Sequence, residues 1–352
     1  MVVVLVAYFL ALIIAFYLLA QVSDKYFVVS LDKIAERFKM SHDMAGATLM
    51  AIGSSAPELF VALISVFKAG GEHKEIGVGT IVGSALFNIL VIIGASAMVR
   101  KAVLVWQPVL RDLLFYLLAI LGLVFVFWDG NITIFESVFL VSLYALYLIA
   151  VKNWGKIFPF KEIDFIDEEE EEEEASGWTR IFRPFDYLLS KLFPSEKFYF
   201  VNFFISILMI AVLSWVLVEA AIEIAEILEV PEVIIALTVL AVGTSIPDLM
   251  SSIIVARQGR GGMAVSNAIG SNIFDIMIGL GLPWTLVLIF TNTPLQPNND
   301  GLLESIGLLF ASVLFIFFIL VVQKWRMGKF TGIFLIGLYL LYLIYSGVNM
   351  VA

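Results

Sequence analysis

Ten almost uninterrupted apolar runs alternate with shorter polar segments along this chain: 2–22, 44–67, 76–98, 108–128, 132–151, 201–224, 232–255, 262–290, 301–322 and 329–350. Each approaches or exceeds the roughly 20 helical residues that a hydrocarbon layer about 30 Å thick demands. The pattern predicts an all-α polytopic membrane protein with ten transmembrane helices. Runs 44–67, 76–98, 232–255 and 262–290 carry Gly, Ser, Asn, Pro or a carboxylate near their middles and are expected to be broken helices. The first run has no basic start and exceeds the length of a signal-peptide core, so it reads as a retained span.

Composition strengthens this picture. Apolar residues make up 61% of the 352 and charged ones 15%, against roughly 45–50% and 25% in soluble domains, which excludes a soluble fold. With no Cys and only His42 and His73, there is no disulfide framework, no thiolate nucleophile and almost nothing for zinc or copper. The net charge of −10 comes from one window, 162–174, which holds ten acids and no base; the remainder is balanced at 21 acids and 21 bases. Nucleic-acid binding therefore has no basic face to use.

That acidic window lacks the glycine turn and spaced ligands of a Ca2+ loop and reads as a solvated linker. The mixed aromatic, leucine and basic segment after it, 177–193, reads as an interfacial helix. The chain thus divides into 1–151, a cytoplasmic linker 152–200, and 201–352. With both termini outside, 19 of the 21 Lys and Arg fall in cytoplasmic loops and only Lys68 and Lys74 fall outside. A multi-pass protein of the cell membrane follows.

The chain also matches itself. ATLMAIGSSAPEL (47–59) corresponds to LTVLAVGTSIPDL (237–249), and GSALFNI (83–89) to GSNIFDI (270–276). Each half has five spans with the motifs in the same order, and because five is odd the second copy enters the membrane inverted. Two inverted five-helix repeats with interrupted helices are a common build of secondary transporters, their site lying near the midplane.

Glu58, Asp248 and Asp275 sit within spans, where insertion costs about 2.5–3.5 kcal/mol each. No Lys, Arg or His lies in those spans away from their ends, so bound cations are the natural partners. Ser54 and Ser55 precede Glu58 by four and three residues, as Thr244 and Ser245 precede Asp248, placing hydroxyls and carboxylate on one helix face. Ser84/Asn88 and Ser271/Asp275 repeat the four-residue spacing. Pro57 and Pro247 lack an N–H and should free backbone carbonyls nearby, with those of Ala51 and Ala241 also available as ligands. Such an all-oxygen set suits Ca2+, Na+ or K+. No resident cofactor is expected.

These motifs, GATLMAIGSSAPELF, GTIVGSALFNIL, AVGTSIPDLMSSIIVAR and GSNIFDI, resemble the alpha-repeats of the cation/Ca2+ exchanger superfamily, most closely its K+-dependent Na+/Ca2+ exchangers. The likeness reaches upstream through Ser23-Asp24 and Leu31-Asp32 to Ser41. It implies that Glu58 and Asp248 bind Ca2+ and Na+, flanked by Ser54, Ser55, Ser84, Asn88, Thr244, Ser245 and Ser271, with Asn272 as a further candidate. It also implies that spans 2–22 and 201–224 slide to alternate access. Aspartate at 248 favours the K+-dependent branch, and so does Asp275, although some microbial K+-independent relatives also keep aspartate there.

Three carboxylates are balanced by three Na+, or by one Ca2+ with one K+ or H+, and a neutral loaded site crosses between states without unpaired buried charge. A Ca2+/H+ exchanger and a cation channel stand as alternatives. No GxGD protease sequence and no GxxxxGK[ST] nucleotide loop is present, so an enzyme is not expected. Glu219, Glu223 and Glu226 stand at the outer end of the sixth span, where they could guide cations.

Overall fold

The computed structural model describes residues 2–38, 44, 46–68, 73–160, 183–291, 295–296 and 302–351. Ser41, His42 and the acidic window 162–174 lie outside them. The first half comprises α1 (Val2–Val22), α2 (Val29–Phe38), α3 (Ala51–Ser54), α4 (Ala56–Phe67), α5 (Lys74–Phe87), α6 (Ile93–Val99), β1 (Ala102–Val103), α7 (Trp106–Val126) and α8 (Ile134–Ile157). After α9 (Arg183–Leu192) the second half comprises α10 (Tyr199–Leu228), α11 (Glu232–Ile235), α12 (Ala241–Thr244), α13 (Ile246–Arg257), α14 (Gly261–Phe274), α15 (Gly281–Thr291), α16 (Leu302–Val322), β2 (Arg326–Met327) and α17 (Lys329–Val351).

Among the described residues eight helices are long and apolar enough to cross a membrane. A ninth span is the pair 47–54 and 56–67, bent by 51°, and Ile306–Val322 is a shorter apolar helix. The bend has a local cause. Ser55 takes φ −88°, ψ 6°, and Pro57, which has no amide hydrogen, sits in the first turn of the helix that restarts after it. Ser245 adopts the same backbone, φ −84°, ψ 3°, yet the helix around it counts as one span, 232–257.

The other two runs expected to break do not. Runs 75–99 and 261–291 are continuous spans, each widened by a π-helical turn that starts at Asn88 or at Asp275. Further π-turns at Gly46–Met50 and Ala236–Leu240 lead into α3 and α12. Wide turns of this kind concentrate where side chains are re-aimed for function.

Packing recurs between the halves. Tyr144 meets Phe274 edge to face at 5.6 Å, and Tyr339 meets Phe87 likewise at 5.4 Å. A β-carbon on Gly94 would lie 3.0 Å from the Gly332 carbonyl, and one on Gly281 3.1 Å from the Ser137 carbonyl, so glycine lets the two backbones approach closely at both places. The two tyrosines stand at equivalent places in LYALYLI (143–149) and LYLLYLI (338–344).

Helices α1 and α10 pack together through Leu12, Ala15, Leu19, Leu217, Ala221 and Ile224. With Val61, Ile76, Ile235, Ala236 and Leu240 they form an apolar cluster distinct from the larger core, most of which lies on α5 to α8 and α14 to α17. At the end with the basic loops, β1 pairs antiparallel with β2, and Arg100 donates to the Arg257 carbonyl at 3.0 Å. At the other end Ile132 and Leu295 exchange backbone hydrogen bonds of 2.8 and 3.1 Å.

Helix α9 docks onto the α1 region. The Tyr17 hydroxyl donates to Asp186 at 2.9 Å, and Tyr26 stacks on Phe193 at 3.7 Å. Leu189 is buried while Tyr187, Leu188 and Leu192 are exposed, an arrangement suited to an interfacial helix; residues 177–182 of that segment are outside the described residues.

Candidate functional site

The π-turns and helix breaks bring two strips of polar residues face to face. Glu58, Asp248 and Asp275 are each fully buried, as are Ser54, Ser55, Ser84, Asn88, Thr244, Ser245, Ser271 and Asn272. Their bonds come in matched pairs. Ser84 Oγ donates to Glu58 Oε1 at 3.4 Å within the first half, and Ser271 Oγ to Asp248 Oδ1 at 2.8 Å within the second. Across the halves, Ser245 Oγ donates to Glu58 Oε1 at 3.2 Å and lies 2.7 Å from Ser84 Oγ, while Asn88 Nδ2 donates to Asp248 Oδ2 at 3.4 Å.

Ser54 stands beside Asp248 and Thr244 beside Glu58. Both hydroxyl hydrogens go to their own helices, to Met50 O at 2.8 Å and Leu240 O at 2.9 Å. Their oxygens keep lone pairs for a cation.

The interdigitation rests on two glycines. A β-carbon on Gly83 would strike Ala241 and the Leu237 carbonyl, and one on Gly270 would lie 3.1 Å from the Ala47 carbonyl. Each glycine lets the span bearing one serine press against the π-turn of the opposite half.

Five acceptor oxygens here are enclosed and have no hydrogen-bond partner: Ser55 Oγ, Glu58 Oε2, Asn88 Oδ1, and both oxygens of Asp275. Among the described residues no base pairs with any of the three carboxylates, and Arg111 and Asp112 form a buried ion pair elsewhere. Leaving such acceptors dry is costly, and a hard cation is the partner that meets several oxygens at once. No three carboxylates or imidazoles among the described residues converge tightly enough to hold a metal alone. The three acids lie within Coulombic range of one another, so the donor set is carboxylate mixed with hydroxyl and amide.

Some expected ligands are otherwise employed. Asn272 donates to Ala85 O at 3.0 Å and accepts from Asn88 Nδ2 at 2.9 Å, so it orients Asn88. The Ala51 and Ala241 carbonyls accept the amides of Ser55 and Ser245 at 3.0 and 3.3 Å, and Ala51 O also lies 3.5 Å from Ser54 Oγ. Glu219 is ion-paired with Lys68, so it is not a free cation guide. Arg111, counted with the loops, is buried in the second turn of α7.

Two polar groups escaped the spacing argument. Asn267 donates to Ser252 Oγ at 3.0 Å, one turn beyond Ser271 and Asp248; the four-residue spacings Asp248/Ser252 and Asn267/Ser271 were the signal. Asp112 accepts from Arg111 Nε at 2.7 Å and from Tyr147 at 3.1 Å, and nothing in the motifs pointed to it.

Comparison with known proteins places the chain among exchangers. A family model described as sodium/calcium exchanger protein matches residues 8–152 and 198–348. Sodium/potassium/calcium exchanger 2 of Gallus gallus is 32% identical over 96% of this chain and 76% of its own length. Sodium/potassium/calcium exchanger 4 of Homo sapiens is 30% identical over 94% and 79%. Among solved structures, the sodium-calcium exchanger NCX_Mj soaked with Na+ and Sr2+ superposes with a TM-score of 0.62 at 27% identity, covering 98% of this chain and 99% of that one.

Proposed function

Because the chain belongs to the sodium/calcium exchanger family, we propose that it is a secondary antiporter that exchanges Na+ for Ca2+ at the buried site formed by Glu58, Asp248 and Asp275. The observation that carries this reading is the set of five enclosed, unpartnered oxygens around three carboxylates with no basic partner among the described residues. Such a site is stable only when cations neutralise it. Three Na+, or one Ca2+ with one monovalent cation, have the same charge, so either load can cross the barrier between states.

Glu58, Asp248, Ser55, Asn88 and Asp275 would supply the principal ligands, with oxygens of Ser54, Ser84, Thr244, Ser245 and Ser271 and the carbonyls of Ala51 and Ala241 completing the shell. Asp275, with both oxygens unpartnered, is the carboxylate suited to K+ as the co-transported monovalent ion; the sodium/potassium/calcium exchangers among the relatives favour K+ over H+ in that role.

The architecture we infer is ten spans in two inverted five-helix repeats, 1–151 and 201–352, joined by the linker 152–200. Matched contacts such as Tyr144–Phe274 and Tyr339–Phe87 support it. Helices α1 and α10, packed on each other outside the main core, would slide to expose the site alternately. Gathering of Arg100, Arg257 and the β1–β2 ribbon at one end supports a cytoplasmic position for the basic loops and a cell-membrane protein with both termini outside.

The test is Ca2+ uptake into proteoliposomes loaded with Na+, with and without K+. A Na+ gradient should drive saturable uptake. Uptake that follows an imposed pH gradient and ignores Na+ would replace this reading with Ca2+/H+ exchange.

A further inference from the structure

Far from the ion site, where the ends of α6 and α16 and the start of α17 meet, the chain builds a second polar feature. An open cavity of about 270 Å3 lies between Lys101 and the turn that joins α16 to α17, and it is lined by Lys101, Arg326 and Lys329 together with Gln323, Gly328 and Thr331. Gln323 and Thr331 satisfy each other at 2.9 and 3.0 Å. The three cations have no acidic partner among the described residues. Like charges gathered around one hollow repel each other until an anion enters.

Three further observations define the anion. The amide of Gly332 closes the start of α17 on Gly328 O at 3.0 Å, one residue before the helix, and the amides of 329–331 precede it, the position at which helix starts receive anions. Beside Gly328 there is open space where a side chain would stand, which admits a bulky oxyanion to the backbone. Lys324 and Trp325 both hold left-handed backbone, φ 52° and 60°, a conformation unfavourable for either residue. The turn is held by Leu104 N donating to Trp325 O at 2.9 Å and by the β1–β2 pairing. Strain of this sort persists where the surrounding structure enforces it and is concentrated at ligand clamps.

The surroundings favour a lipid over a free anion. Trp106 and Trp325 lie 6.5 Å apart at the ends of two spans, and indole rings mark the headgroup level of a bilayer. Phe330, next to Lys329, is 91% exposed and would stand in acyl chains. A phosphate here is therefore attached to a tail. We propose that this cavity binds the phosphate of an anionic phospholipid headgroup, clamped by Lys101, Arg326 and Lys329 over the first turn of α17. The headgroup bridges the loops after α6 and α16, one from each half of the chain, on the face that carries the basic loops. The assignment rests on the membrane character of the chain and is independent of which ions it exchanges.

The test is titration of the purified full chain in neutral detergent with dioleoylphosphatidylglycerol or dioleoylphosphatidylcholine, bound lipid being counted by native mass spectrometry. Wild type should retain phosphatidylglycerol in preference to phosphatidylcholine. The triple variant Lys101→Ala/Arg326→Ala/Lys329→Ala should weaken that retention about a hundredfold, whereas Lys101→Arg/Lys329→Arg should keep it. Lys152→Ala/Lys156→Ala, which removes charge from another exposed basic stretch, should change nothing. Equal retention by wild type and the triple variant, or an equal loss in the Lys152/Lys156 control, would overturn the site. Displacement of the lipid by millimolar inorganic phosphate would overturn the lipid assignment in favour of a free anion.

Discussion

Glu58 and Asp248 hold the only carboxylate oxygens in the site that already accept hydrogen bonds from both halves of the chain, so each is committed to the geometry as well as to the charge. Replacing either by its amide, Glu58→Gln or Asp248→Asn, removes a negative ligand and leaves an amide donor facing the cation. Loss of one charge-assisted contact of ~3 kcal/mol corresponds to roughly a 100-fold fall in Ca2+ affinity, measurable as Na+-driven uptake; retained uptake in both variants would displace the site. Asp275 differs, because its oxygens accept no hydrogen bond. Asp275→Asn should preserve Ca2+ uptake and alter its alkali-ion requirement, read by repeating the assay with K+ and without; an unchanged requirement removes Asp275 from that role.

At the scale of elements, the site depends on spans crossing at glycine. Gly83 faces Ala241, whose β-carbon would stand 2.6 Å from an added one, whereas Gly270 faces Ala51 at 3.3 Å. Gly83→Ala should therefore cost about 1–3 kcal/mol of overpacking and lower both the melting temperature in detergent and the Ca2+ affinity. Gly270→Ala, with room for a shift of a few tenths of an ångström, should be the milder change. Equal sensitivity of the two would mean that the crossings are looser than they look. The π-turns that begin at Asn88 and Asp275 belong to this level too: they swing a side chain inward without interrupting the span.

Across the whole molecule, the α1–α10 layer must move relative to the rest if access alternates, and polar contacts among the described residues tie the two together. One is the Lys68–Glu219 ion pair, joining the end of α4 to the C-terminal part of α10. Another is Ser214 Oγ donating to Pro57 O at 3.5 Å. Lys68→Ala should release the C-terminal part of α10 and favour the state open on that side. The pair is partly exposed, so the shift should stay within about fivefold, up to ~1 kcal/mol. With no cysteine in the chain, a single Ser214→Cys provides a clean reporter; labelling from that side that is indifferent to Lys68→Ala would show that the pair does not hold the gate.

The membrane class, the two motif copies and ten of the buried polar side chains were legible in the linear chain, because hydropathy over 20 residues and spacing of three or four on a helix are local properties; Asn272 came only with the family resemblance. Tertiary structure alone decided which oxygens remain free. Asn272 turned to Ala85 and Asn88, Glu219 to Lys68, and Arg111 to a buried Asp112, each through a contact between residues distant in the chain or hidden inside a helix packing surface. Likewise a proline marked where a helix is interrupted, but only packing determined that 44–67 bends by 51° while 232–257 passes as one span. A missing amide hydrogen permits a bend; its angle is settled by the neighbours that fill the space around it.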